Sequence, residues 1–257
     1  MGDQTPMLTT VTDVRRLTPR MARITVASAE LRRFAYDGPD QLVRIFLPNG
    51  RVDELTLPVT TNWWPELSSM PEATRPVVRN YTVRRLDRTQ GELDIDFVLH
   101  GSGASAGPGS SFAEHVQPGD QLGVLSDGAD YLPPVDTDWV LLVGDESALP
   151  AIAAILEQVP EGLPVVTLLE VEDAADEVEL ALPATWVHRG PGVRNLRVLA
   201  ALRSLEFPAG TPYVWAAGES GLATGVRRHL VNDRGIAKDR IYFCGYWRCD
   251  AAEPAES

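Results

Sequence analysis

The residues best equipped for chemistry fall into five short stretches of a 257-residue chain. The first is Arg79-Asn80-Tyr81-Thr82-Val83-Arg84. On a strand, Arg79 and Tyr81 share one face while Thr82 and Arg84 share the other. A guanidinium grips phosphate with a planar fork, and an aromatic ring packs on a planar heterocycle. The second is Gly101–Ala113, GSGASAGPGSSFA, which is too rich in Gly and Ser to be core. Its end, Ser110-Ser111-Phe112-Ala113, opens a helix in this reading, and the first N–H groups of a helix make an anion site. The stretch lies between a strong strand and a turn, where a flexible linker fits poorly. The third is Gly144-Asp145-Glu146-Ser147, after an apolar strand, where open α/β sheets bind ligands. Its carboxylates also suit the capping of the next helix. The fourth is Ala216-Ala217-Gly218-Glu219, whose small residues let a ligand approach the backbone. The fifth is Gly245-Tyr246-Trp247-Arg248, two aromatics and an arginine just past a buried strand.

Other chemistries lack their residues. There is no G-x-G-x-x-G fingerprint for a standard Rossmann NAD site and no G-x-S-x-G elbow. The four histidines, His100, His115, His188 and His229, show no metal-ligand spacing, so no metal is expected. His100 alone adjoins a candidate stretch, and His229, after Arg227 and Arg228, reads as a surface residue. Cys244 and Cys249 are too few for a four-thiolate iron–sulfur cluster.

Two kinds of element must position these residues. Up to about residue 135 the pattern is short strands bounded by Gly, Pro, Asn or Asp: ARITVAS (22–28), LVRIFLP (42–48), NYTVRRL (80–86) and LDIDFVLH (93–100). In the last, Leu93, Ile95, Phe97 and Leu99 face one way and Asp94 and Asp96 the other, as in a half-buried strand. Such strands suggest an antiparallel barrel or sandwich. After residue 136, apolar strands at 138–144, 164–170, 186–189, 213–218 and 240–247 alternate with helical patterns near 149–159, 195–205 and 222–233. That alternation indicates βαβ units and a parallel sheet. The expected organisation is therefore two domains, residues 1–135 and 136–257.

The formal net charge is −13. It argues against a nucleic-acid partner, which would need a basic stripe. No apolar run approaches a membrane span, and the N-terminus lacks a signal-peptide core. A cytoplasmic protein is expected. Twenty-two of the 23 basic residues are arginine, Lys238 being the exception. The acidic excess lies mostly in the second half, and Glu170–Glu179, with six carboxylates, reads as a solvated loop.

Taken in order, RNYTVRRLD (79–87), DFVLHG (96–101), QPGDQLGVL (117–125), DWVLLVGDESALPAI (138–152), VWAAGES (214–220) and GYWR (245–248) resemble the siderophore-interacting protein family. These are flavin-dependent ferric-siderophore reductases of the ferredoxin–NADP reductase-like superfamily. The resemblance implies an N-terminal six-stranded FAD-binding β-barrel and a C-terminal α/β parallel-sheet domain for NADH or NADPH. It implies that Arg79 pairs with the FAD pyrophosphate, that Tyr81 packs against the flavin, and that the Thr82 hydroxyl reaches the hydride-accepting N5. His100 and Gly101 would border the cofactor, and Gly107, Gly109, Ser110, Ser111 and Phe112 would lie along its pyrophosphate. Asp145, Glu146, Ser147, Gly218 and Glu219 would line the nicotinamide site. Trp247 and Arg248 would meet the ferric siderophore, with Arg44 and Arg51 as weaker candidates, and Arg189 and Arg194 would be available to a 2′-phosphate.

The chain departs from the family pattern. Gly109 replaces Ala, Phe112 replaces Trp, Ser126 stands where a glycine is expected, and the tail after Arg248 is short and acidic. Relatives often use lysines at the substrate; here arginines must serve. Two other readings fit the same residues: an FAD-dependent tailoring enzyme of natural-product biosynthesis with another small-molecule acceptor, and a flavin-free binding protein on the same scaffold.

Overall fold

The computed structural model describes residues 5–49, 55–101 and 106–249. Arg51 and residues 102–105 of the Gly/Ser stretch lie outside the described residues. The chain divides into two compact units. One comprises Met1–Tyr131 with Ala153–Gln158; the other comprises Leu132–Ile152 with Val159–Ser257.

The first unit is an antiparallel sheet of seven strands: β1 (Met7–Thr18), β2 (Met21–Ala27), β3 (Leu42–Leu47), β4 (Val77–Thr82), β5 (Arg85–Asp87), β6 (Glu92–Val98) and β7 (Gln121–Gly128). The order across the sheet is β4-β3-β7-β1-β2-β6-β5. The sheet curls back on itself, because Tyr81 of β4 lies against Phe97 of β6 at 4.3 Å between ring centroids. Ile24, Val43, Ile45, Leu93, Ile95 and Val124 fill the interior. The family resemblance implies six strands. The seventh arises because 80–86 is not one strand: β4 ends at Thr82 and β5 begins at Arg85.

β6 is buried on both faces, not half-buried. The Arg23 guanidinium forks onto Asp96 at 2.7 and 2.8 Å, and the Thr25 hydroxyl donates to Asp94 at 2.7 Å. Burying a carboxylate requires such pairing. β1 escapes the alternation signal for a related reason. Its inward positions are Met7, Thr9 and Val11, and the Thr9 hydroxyl is satisfied by the Leu122 carbonyl at 2.8 Å. Helix α1 (Trp63–Ser69) lies in the β3–β4 connection and covers Phe46 with Trp63 and Leu67. Helix α2 (Pro108–His115) follows β6. Ser126, the departure from glycine, accepts from Gln41 Nε2 at 3.0 Å and donates to the Ala35 carbonyl at 2.8 Å.

The second unit is a parallel five-stranded sheet: β8 (Trp139–Asp145), β9 (Val165–Val171), β10 (Thr185–His188), β11 (Pro212–Glu219) and β12 (Ile241–Trp247). Its order is β10-β9-β8-β11-β12. The helices between its strands are α3 (Leu149–Leu156), of which only Leu149–Ile152 belongs to this unit, α4 (Leu196–Ser204) and α5 (Ser220–Asn232). Every residue of β8 is buried, as expected of a strand covered on both faces. Val198 and Leu202 of α4 and Leu222, Val226 and Leu230 of α5 pack on one face of this sheet. The connectivity reverses between β8 and β11, so their C-terminal ends form the switch point where such sheets bind ligands.

Candidate functional site

In the first unit the candidate residues converge. Arg79 is exposed near the middle of edge strand β4, and its NH1 donates only to the Val78 carbonyl, at 2.8 Å. Among the described residues it has no carboxylate partner. Thr82, on the opposite face, is buried, and its hydroxyl has no hydrogen-bond partner among the described residues. Tyr81 is half-buried between β6 and α2. Burial pushes its phenol well above the ordinary value, and Arg79 pulls weakly the other way, so the phenol stays protonated.

The first turn of helix α2 lies against the Tyr81 phenol. Gly107 is the N-cap, has no side-chain cap and is followed by Pro108. Pro108 has no N–H, and the first-turn N–H groups of Gly109 and Ser110 lack acceptors within the helix. Gly109 has no room for a side chain, since a Cβ there would collide with the Tyr81 phenol oxygen. The departure from alanine is therefore matched by the position of Tyr81. Phe112, the departure from tryptophan, sits 6.2 Å from Phe97 and packs on the barrel core.

Ser110 is buried, and its hydroxyl fastens α2 to the end of β6, accepting from His100 N and donating to His100 O, each at 3.0 Å. Only its backbone N–H is left for an anion. The Ser111 carbonyl meets the His115 ring at 2.8 Å. His100 is exposed, and Gly101 follows it in the turn out of β6. Among the described residues, a guanidinium with no carboxylate partner, a hydroxyl with no side-chain partner and the first-turn N–H groups of α2 suit a phosphate-bearing, planar cofactor.

Arg44 is not available in the same way. Its guanidinium pairs with Asp127, reaches Asn80 Oδ1 at 3.2 Å and lies over Trp63 at 5.4 Å.

In the second unit the candidates gather at the strand ends, but several are held by one another. Asp145 is completely buried. One oxygen accepts from Ser147 N at 2.9 Å and Ser147 Oγ at 2.6 Å; the other accepts from Glu219 N at 2.7 Å and Trp247 Nε1 at 3.0 Å. Burial, then the neighbouring Glu146 charge, raises its pKa despite these bonds. Asp145 thus ties together the ends of β8, β11 and β12. Gly218 permits the tie: its φ is +129°, and a Cβ there would lie 2.6 Å from the Asp145 carboxyl carbon.

Glu219 caps α5, accepting from Gly221 N at 2.6 Å and Leu222 N at 3.1 Å. It also accepts from Asn195 Nδ2 at 2.7 Å and Cys249 N at 3.3 Å. Burial raises its pKa, but the Asn195 and backbone donors outweigh that, and the net shift is downward.

Glu146 does not face solvent alone. It accepts from Arg189 at 2.6 Å and from Arg194 at 3.0 Å. Arg189, expected from the sequence to be available to a 2′-phosphate, is buried and also holds Glu170 at 2.9 Å and Glu172 at 2.8 Å. Glu170 is fully buried and Asp176 nearly so, which corrects the reading of 170–179 as a solvated loop. Glu170 ends the apolar run of β9, and that position was the signal for its burial. His229 is likewise buried rather than at the surface, its Nδ1 2.8 Å from Asp233.

Arg194 lies 4.8 Å over the Trp247 ring. Arg248 is exposed, without an ion pair among the described residues. With Arg203, Arg228 and Glu219 it lines a cavity of about 570 Å³ at helices α4 and α5.

Among the described residues no cluster of His, Cys, Asp or Glu suits a metal ion. No helix there is long and apolar enough to cross a membrane.

Comparison with known proteins supplies the context. The family described as "Siderophore-interacting FAD-binding domain" matches residues 10–131, and that described as "Siderophore-interacting protein" matches residues 137–250. The chain is 34% identical to ferric vibriobactin reductase ViuB of Vibrio cholerae, over 91% of this chain and 86% of that protein. A siderophore utilization protein from T. fusca superposes with a TM-score of 0.83 at 35% identity, covering 99% of this chain and 97% of the other. The siderophore-interacting protein SipS from Aeromonas hydrophila gives 0.80 at 30% identity, covering 98% and 95%. Ferredoxin-NADP+ reductase from Plasmodium falciparum shares the fold alone, with a TM-score of 0.68 at 10% identity, covering 92% and 95%.

Proposed function

The chain belongs to the siderophore-interacting protein family, and from that premise we propose that it is a flavin-dependent ferric-siderophore reductase. Electrons pass from NADH or NADPH, through FAD, to Fe(III) held by a siderophore or similar chelator. FAD is taken to occupy the domain of residues 1–135 and the nicotinamide that of residues 136–257. Held by these residues, FAD would supply the conversion between a two-electron nicotinamide donor and a one-electron iron acceptor. Each electron reduces one Fe(III) to Fe(II), which hard oxygen ligands hold less tightly, so iron leaves the chelate.

The observation that carries this reading is the group of unused donors on β4 and α2. Arg79 would hold the FAD pyrophosphate by a bidentate contact, with the Gly109 and Ser110 N–H groups beside it. Tyr81, a neutral ring fixed on Phe97, would pack on the flavin. Thr82 would present its hydroxyl to N5. Ser110 positions the helix through His100, whose ring with Gly101 would border the cofactor.

In the second domain, Asp145 has all its acceptor capacity occupied. Its part is to hold Ser147, Gly218 and Glu219 in place, and the backbone of these residues would line the nicotinamide. Trp247 is tied to the same carboxylate. Arg248, exposed and without an ion pair among the described residues, would attract an anionic chelate.

Capture of Fe(II) by a ferrous-specific dye tests the reading. With the protein, FAD, a ferric siderophore and NADH or NADPH, dye-bound Fe(II) accumulates catalytically. Good flavin reduction without Fe(II) release would instead point to another acceptor, as for a tailoring enzyme.

A further inference from the structure

The strongest charge arrangement in the second domain has no part in the account above. It is the cluster that closes on Arg189 at the ends of β9 and β10. All three guanidinium nitrogens are occupied: Nε by Glu170 at 2.9 Å, NH1 by Glu172 at 2.8 Å and NH2 by Glu146 at 2.6 Å. The Arg189 side chain is 5% exposed and that of Glu170 0%; Glu172, at 34%, is the most open of the three carboxylates. Arg194 is drawn in as well, bonded to Glu146 and stacked on Trp247. Three carboxylates face two guanidinium groups, so the cluster keeps a net negative charge.

Its place in the fold gives it meaning. In doubly wound sheets that bind dinucleotides, an acidic residue at the end of the second strand bonds the adenosine ribose 2′-hydroxyl, whereas a nearby arginine accommodates a 2′-phosphate. Here β9 is the second strand of the sheet, and Glu170 and Glu172 stand at its end. The arginine on the neighbouring strand is already claimed. For a 2′-phosphate to bind Arg189, the guanidinium would have to loosen its hold on Glu170, the one carboxylate fully buried with it, and stranding a buried charge is strongly unfavourable. The phosphate would also meet Glu172 and Glu146 at close range.

Resting on the reading that the chain uses a nicotinamide coenzyme, we propose that this cluster selects NADH over NADPH, with Glu172 accepting the ribose 2′-hydroxyl and the Glu146–Glu170–Glu172 cage withholding Arg189 from a 2′-phosphate. Glu146 and Glu170 act by positioning Arg189; Glu172 is the contact.

The test is calorimetric titration of the FAD-loaded protein with 5′-AMP and with 2′,5′-ADP, alongside NAD⁺ and NADP⁺. The member of each pair that lacks the 2′-phosphate binds at least tenfold more tightly. Glu172→Gln narrows that ratio by tenfold or more and does so without loss of bound flavin. Equal or tighter binding of the 2′-phosphorylated ligands by the unaltered protein overturns the proposal and leaves nicotinamide use intact. Failure of all four ligands to bind, with flavin reduced by dithionite but by neither NADH nor NADPH, overturns the nicotinamide reading and this proposal with it.

Discussion

Arg79 and Asp145 show opposite uses of a polar side chain. Arg79 has a free fork at the surface, so its loss costs the fold little: exposed substitutions generally fall within about ±0.5 kcal/mol. Its expected contribution is to the cofactor. Arg79→Ala should leave the melting temperature of the flavin-free protein nearly unchanged and weaken FAD binding about tenfold or more, as the loss of a charge-assisted bond implies. Equilibrium dialysis against FAD checks this; unchanged flavin occupancy would show that another residue holds the pyrophosphate. Gly109 makes a second prediction. A Cβ there collides with the Tyr81 phenol oxygen, so Gly109→Ala should destabilise the protein by about 1–3 kcal/mol, the usual range for overpacking. In a Tyr81→Phe background the penalty should shrink, because the colliding atom is gone. Denaturant unfolding of the four proteins gives the coupling; additive effects would mean that the helix, not the tyrosine, moves.

At the scale of elements, most of what the sequence implies appears in the structure. The parallel sheet was legible because β8, β9 and β11 are apolar runs of ordinary strand length. The barrel was less so. β1 hides behind Thr9, whose satisfied hydroxyl lets a polar residue occupy a core position. β6 looked half-buried because Arg23 and Thr25, the partners of its aspartates, come from a distant strand that no local pattern reveals. The same non-locality hid the Arg189 cage, assembled from β8, β9 and β10 ends. In the candidate site, residue types were legible and their pairings were not: nothing in the sequence says that Trp247 donates to Asp145 or that Ser110 fastens to His100.

The cap of α5 yields a pH prediction at this scale. Glu219 has a lowered pKa in the folded state, so its stabilisation is complete above the ordinary value of 4.5 and is lost as pH falls through the lowered folded value. Glu219→Gln should therefore be less stable than the parent at pH 7, and the gap should close below pH 4.5. Melting curves between pH 3 and pH 8 check it. A gap independent of pH would place the stabilisation in shape, not charge.

For the whole molecule, the net charge of −13 sets a condition on function. A ferric siderophore is often anionic, so the long-range field repels it and only local arginines attract it. Raising the ionic strength shortens the Debye length, to about 10 Å at 0.1 M, and weakens that repulsion first. The second-order rate of flavin reoxidation by an anionic ferric chelate should thus rise several-fold between low and moderate salt. A fall would mean that a basic patch, such as the one around Arg248, dominates approach.

The central claim is that this chain carries electrons from FAD to chelated iron. Anaerobic absorption spectroscopy tests it most directly. The purified protein, loaded with FAD, is first reduced by one equivalent of NADH, and the flavin bands bleach. Two equivalents of a ferric siderophore are then added. The account predicts that the flavin bands return fully while two equivalents of Fe(II) appear in a ferrous-specific dye. Bands that stay bleached in the presence of the ferric chelate, with no Fe(II) formed, would contradict it.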